Sequence, residues 1–158
     1  MRVSKRGEYA LRSLINLGIA RELGRPMLQI RQLAEKENIP VKFLEAILLE
    51  LNRAGYLGSK RGKGGGYFLK KSMDKITIGE IVRLIDGPLA PISCASVTAY
   101  HPCSCPDEAH CGLRLLMVDV RNAIANILDR YTLADTVEVM LRKMRRDKVP
   151  LPFLEAKK

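Results

Sequence analysis

The chain is poor in histidine, the side chain that most often moves protons in enzymes. It has two histidines in 158 residues, His101 and His110, and both lie in one short cysteine-rich stretch. No nucleophile–base constellation and no metal-hydrolase motif is present, so an enzyme is not expected. No apolar run approaches a membrane span, and the first residues lack the apolar core of an export signal. A soluble chain without a membrane partner is expected, in the cytoplasm. No internal repeat is found. The glycine-rich stretch has no GxxxxGK[ST] pattern and leads into a strand rather than a helix, which weakens a nucleotide-loop reading.

What is present is positive charge, unevenly placed. The formal net charge is +10. Residues 1–75 carry a net +9 and the remainder only +1. A polyanion partner follows for the first half, and nucleic acid is the natural one. With 47% apolar residues the chain can also bury a core. Its four cysteines, Cys94, Cys103, Cys105 and Cys111, fall within eighteen residues. In a reducing compartment such a cluster points to a metal or redox site rather than a disulfide frame.

The stretch 40–69 organises the reading. Leu44, Ile47, Leu48 and Leu51 recur at helical spacing and predict a helix over 41–54. Gly55 suits the position just past its end. Tyr56–Leu57 opens a strand, and residues 59–66 are basic, with four glycines in eight residues. Tyr67–Leu69 returns as a second strand. Upstream, residues 4–22 read as an apolar central helix capped by Ser4, with Glu8 in its first turn. Residues 29–37 read as a short helix, and Asn38-Ile39-Pro40 as the turn into the next. The sum is a winged helix-turn-helix over residues 1–86, with 41–54 as the recognition helix.

Thr77 and Glu80 form a capping-box pattern that starts a helix ending at Gly87-Pro88. Residues 87–110 form a long loop holding most of the cysteines. From residue 111, Leu113, Met117, Val120, Ile124, Ile127 and Tyr131 step by 4, 3, 4, 3, 4. That is a heptad-like seam, with more apolar surface than one small core needs. A homodimer through this helix is expected; packing within the chain alone is the alternative. A final amphipathic helix begins at Thr132, so 111–146 holds the dimer helix and the last helix. The chain from Arg142 reads as basic and exposed, with a basic tail over 147–158. The fold class is mainly α with a small β-hairpin wing.

These residues resemble a known group. The wing RGKGGGYFL, the preceding KFLEAILLELNRAGYLGSK, the opening SKRGEYALRSL, the start CGLR and the segment TLADTVEVM look like the IscR/NsrR/RirA (Rrf-two) family of winged-helix transcriptional regulators. The resemblance covers nearly the whole chain. It implies a homodimer with crossing long helices on a palindromic operator in double-stranded DNA. In many members it also implies an iron–sulfur cluster in the cysteine loop that tunes DNA binding. On that pattern Cys94, Cys105 and Cys111 are the ligands; Cys105 and Cys111 have the family's spacing of five intervening residues, while ten separate Cys94 from Cys105, and Cys103 is an alternative for the middle or fourth place. The histidine that some members place three residues beyond the last cysteine is absent, because Arg114 stands there. Glu8 matches the acidic residue by which other members reach the partner's cluster. A 2Fe–2S cluster is placed ahead of a 4Fe–4S cluster. Zinc, or no metal, is the alternative, since cysteine sets also hold zinc.

DNA would be read from the start of helix 41–54. Val41 suits a thymine methyl, Lys42 guanine O6/N7 and Glu45 cytosine N4, although Glu45 could equally be a solvated helix charge. Arg61 would enter the minor groove from the wing. Lys60 and Lys63 would meet phosphates, as would Arg6 and Arg31 at helix N-termini. The expected function is a regulator whose DNA affinity follows an iron–sulfur cluster or cysteine redox state, acting on the nucleoid. Two others stay open: a regulator or architectural DNA binder with zinc or free cysteines, and an iron–sulfur electron-transfer or cluster-carrier protein. The latter has no use for a basic wing.

Overall fold

The structure is a computed structural model and describes residues 2–154. Ser4 caps the first helix, α1 (Lys5–Glu22), its hydroxyl accepting the Gly7 N–H at 3.0 Å. Ala10, Leu14, Leu17, Ile19 and Ala20 of α1 are all buried. A helix apolar on nearly every side is stable only when surrounded. Most of the other elements pack around it.

A second helix, α2 (Ile30–Glu37), ends at Asn38, which adopts the left-handed conformation (φ 52°) that asparagine tolerates. Pro40 then leads into α3 (Val41–Arg53). Leu44, Ile47, Leu48 and Leu51 of α3 are buried, as their spacing predicts. The helix ends in a Schellman turn. Tyr56 N–H reaches Leu51 O at 3.0 Å, with Gly55 at φ 84°.

The wing strands are β2 (Leu57–Lys60) and β3 (Gly66–Leu69). The expected two-stranded hairpin is in fact part of a three-stranded antiparallel sheet. β1 (Met27–Leu28) pairs with the outer side of β3, placing Met27 opposite Phe68. Two residues are too few to show a periodicity, so β1 left no sequence signal. Gly66 makes this pairing possible, because a Cβ there would stand 2.7 Å from the Leu28 carbonyl carbon.

Helix α4 (Ile78–Asp86) carries the predicted capping box, with Thr77 N–H to Glu80 Oε2 at 3.0 Å and Glu80 N–H to Thr77 Oγ1 at 3.2 Å. After the loop 87–110 comes α5 (Gly112–Arg130), then α6 (Leu133–Arg146). Leu133, Val137 and Leu141 of α6 are buried in the same core as α1, and a Cβ on Gly18 would lie 2.6 Å from Val137 Cγ2. α6 therefore belongs to the winged body, although the sequence groups it with the dimer helix.

No residue of the nineteen in α5 is buried. The helix is fastened at its end, where Arg83 grips Asp129 at 2.6 and 2.8 Å and Ile78 N–H meets Tyr131 O at 2.9 Å. Leu113, Val120, Ile127 and Tyr131 of the seam, and Leu116 beside it, are exposed; Met117 and Ile124 are half-buried. Packing of α5 within this chain leaves that face uncovered.

The exposed tail expected from Arg142 is corrected in part. α6 continues to Arg146, and the chain then folds back. Pro152 is buried, Leu151 and Phe153 lie against the core, and Arg25 Nη1 donates to Phe153 O at 2.7 Å. Three consecutive apolar-bodied residues outweigh the basic charges around them. The tail's residues 155–158 lie outside the described residues.

Candidate DNA-binding face and cysteine loop

Burying Leu44, Ile47, Leu48 and Leu51 turns the opposite side of α3 outward. Val41 is 42% exposed, and Lys42 and Glu45 are exposed beside it. Among the described residues neither Lys42 nor Glu45 has an ion-pair partner. The wing turn lies between Lys60 and Gly66, the last pair of the β2–β3 ladder. Gly65 N–H closes it onto Gly62 O at 2.9 Å, with Gly62 and Gly64 at φ 97° and 77°. Both values are natural for glycine and costly for other residues. Lys60, Arg61 and Lys63 are exposed around this turn. Asn52 Nδ2 donates to Ser59 Oγ at 3.1 Å, which ties the wing's base to the recognition helix. Helix start and wing are thus presented as parts of one small body.

Arg31 is exposed in the first turn of α2. Arg6, the other expected phosphate contact, is exposed and ion-paired with Glu50 of α3. No sequence rule links positions so far apart. One residue passed over by pattern reading lies on this face. Phe43 is 44% exposed and meets Tyr9 edge-on, with ring centroids 5.7 Å apart. The available signal was an aromatic residue off the buried stripe of a helix.

In the loop, a 3-10 turn at Ser93–Ala95 buries Cys94. Arg114 Nε donates to Cys94 O at 3.0 Å, and Arg121 Nη1 to Ala95 O at 2.9 Å, so α5 holds this turn by its backbone. Glu108 organises the remainder and had no sequence signal. It accepts from Tyr100 OH at 2.7 Å, pairs with Arg114 Nε at 3.1 Å and lies 3.8 Å from Cys103 Sγ. The Tyr100 hydrogen bond is the chief cause that lowers its carboxyl pKa.

Cys111 is the N-cap of α5, and its Sγ is 4.0 Å from Cys105 Sγ. The backbone N–H of Arg114 leads in pulling the Cys111 thiol below its ordinary range, as an uncapped helix start favours negative charge. Cys105, crowded by Cys103 and then Cys111, is pushed up to about 12. Burial, and next Cys103, raises Cys94.

Thiols are the right donors for iron–sulfur clusters or zinc. Two thiolates on one tetrahedral ion with ~2.3 Å bonds stand about 3.8 Å apart, so Cys105 and Cys111 have the spacing of a ligand pair. Among the described residues, no group of three or more His, Cys, Asp or Glu side chains is gathered to hold an ion. The donor chemistry fits; one chain by itself assembles only part of the set. His101 and His110 are exposed, and His110 Nδ1 is 2.7 Å from Asp107 Oδ2. Glu8 is bound by Lys5 at 2.7 Å and Arg12 at 3.1 Å, which lower its pKa, Lys5 foremost.

The Rrf2 family, described as iron-dependent transcriptional regulators, matches residues 3–139. An Rrf2-like HTH-type transcriptional regulator of Rhodobacter capsulatus is 40% identical over 135 residues, covering 84% of this chain and 90% of that protein. The transcriptional regulator NsrR of Geobacillus kaustophilus is 34% identical over 138 residues, 87% of this chain and 90% of that one. Among solved structures, CymR, the global cysteine regulator of B. subtilis, superposes with a TM-score of 0.73 at 29% identity, covering 88% of this chain and 98% of that one. These relatives are transcriptional regulators, not enzymes. Among the described residues no helix is long and apolar enough to cross a membrane.

Proposed function

The chain belongs to the Rrf2 family of transcriptional regulators, and we propose that it is a homodimeric, operator-binding regulator whose DNA affinity follows the state of its cysteine loop. The observation that carries the DNA-binding part is the exposed cationic wing fixed beside the exposed start of α3. Val41, Lys42 and Glu45 face the base edges, Arg61 enters the minor groove, and Lys60, Lys63 and Arg31 take phosphates. One copy offers a small footprint. The uncovered apolar face of α5 supports a second copy, and hence a palindromic operator. The protein acts in the cytoplasm, on the nucleoid.

Cys94, Cys105 and Cys111 hold an iron–sulfur cluster, 2Fe–2S ahead of 4Fe–4S, with Glu8 of the partner or Cys103 completing the set. Such a group, when bound, supplies a thiolate-held centre sensitive to oxidants and to iron supply. The chain's own contribution is transmission. Arg114 and Arg121 link the carbonyls of Cys94 and Ala95 to α5, so a reordered loop displaces the helix that sets the spacing of the two wings.

A second reading is a regulator that senses through its thiols or zinc alone. The 4.0 Å approach of Cys105 to Cys111, with no larger donor group gathered among the described residues, favours it. Anaerobic purification, followed by a visible spectrum and iron and sulfide counts, separates the two. A colourless protein with stoichiometric zinc, or with no metal, would remove the cluster.

A further inference from the structure

Phe43 is the third residue of α3 and lies off its buried stripe. Its ring is braced edge-on by Tyr9 at 5.7 Å, and with Pro40, Lys5 and Lys42 the two rings line an open cavity of about 620 Å³. The core does not use this ring's outer face, which is left in water at the reading end of the recognition helix. Among base edges in the major groove, only thymine presents an apolar group, its C5-methyl. The rim of the cavity is cationic. Lys42 has no ion-pair partner among the described residues, and Lys5 is shared with Glu8. An apolar floor between two lysines suits a methyl group carried by a polyanionic duplex.

We propose that Phe43, held by Tyr9, is a specificity-determining residue that reads a thymine methyl in each half-site. The inference rests on the DNA-binding reading above and adds to it a base identity. Val41 is two residues earlier, about 200° around the helix, so the two side chains address different base pairs.

The test starts from an operator selected by the wild-type protein from random duplexes. Each thymine is replaced in turn by deoxyuridine, which lacks only the methyl. Affinities are measured for the wild type, Phe43→Ala and Val41→Ala, with folding checked by circular dichroism. At one symmetry-related thymine pair the wild type loses about fourfold per half-site, the worth of one buried methyl. Phe43→Ala is indifferent at that pair, while Val41→Ala still pays the penalty there. If the alanine variant does not fold, Phe43→Gln carries the same comparison. Equal penalties in the wild type and the Phe43 variant, or no sensitive thymine at all, would overturn the proposal while leaving DNA binding intact. Failure to select any operator would overturn both.

Discussion

Arg12 of α1 donates through Nη2 to the main-chain carbonyl of Glu37, the last residue of α2, at 2.8 Å. Its Nε pairs with the Glu37 carboxylate at 2.5 Å, and Asn16 Nδ2 reaches the same carboxylate at 2.7 Å. The turn of the helix-turn-helix is thus hung from the central helix by charged hydrogen bonds, in a half-buried setting. Arg12→Ala leaves the Glu37 carboxylate and carbonyl short of donors and should cost about 1–3 kcal/mol of stability. Urea unfolding measures it. Arg12→Lys should recover less than half, because an ammonium cannot serve both acceptors with one planar fork.

In the wing, Arg61→Ala should weaken operator binding by roughly 1–3 kcal/mol, while Lys63→Ala should weaken all sequences alike and reduce the salt slope by about one. Titrations at several salt concentrations, on operator and scrambled duplexes, distinguish the two. Identical operator affinity in Arg61→Ala would take the wing tip out of the site.

Gly66→Ala drives a Cβ into the Leu28 carbonyl. β1 must then leave β3, and the wing loses its inner support. The variant should be destabilised by about 1–3 kcal/mol. It should also bind the operator poorly at temperatures where it remains folded. Retained stability together with full affinity would show that β1 does not hold the wing.

Ile127 is 52% exposed and Leu116 56% exposed. Ile127→Asp and Leu116→Asp therefore cost a lone chain almost nothing, while in a dimer through this face of α5 each buries a charge. Sedimentation should find a folded monomer for either variant and a dimer for the wild type. A wild-type monomer at micromolar concentration would contradict the seam.

Cys111 and Cys105 should titrate on opposite sides of an ordinary cysteine in metal-free protein. Cys111 is lowered chiefly by the Arg114 backbone N–H, so it becomes thiolate at lower pH than an ordinary cysteine. Cys105, pushed up to about 12, stays a thiol through the neutral range. Alkylation near pH 8, followed by peptide mapping, should label Cys111 well before Cys105.

Much of this architecture was legible in the chain. The helices announce themselves because Leu44, Ile47, Leu48 and Leu51 must share one face, and because Ser4 and Thr77 serve backbone donors close to them in sequence. The wing is legible because its turn demands left-handed backbone at Gly62 and Gly64. What escaped is held by distant partners. β1 is two residues long, the Arg6–Glu50 pair joins separate helices, and Leu151 to Phe153 find the core only after the fold exists. In the loop, spacing names the cysteines; Glu108 and the carbonyl clamps of Arg114 and Arg121 depend on a path that no periodicity sets.

We propose control of DNA affinity by the cysteine loop. Its most direct measurement is the dissociation constant for the selected operator at fixed salt. It compares protein purified anaerobically, with iron and sulfide counted, the same protein after oxidation or chelation, and Cys111→Ala. A change of at least about tenfold, some 1.4 kcal/mol of coupling, is expected between the intact and altered loop. Cys111→Ala should be locked at the altered value. One constant shared by all three preparations would contradict it and leave a DNA binder whose cysteines do not signal.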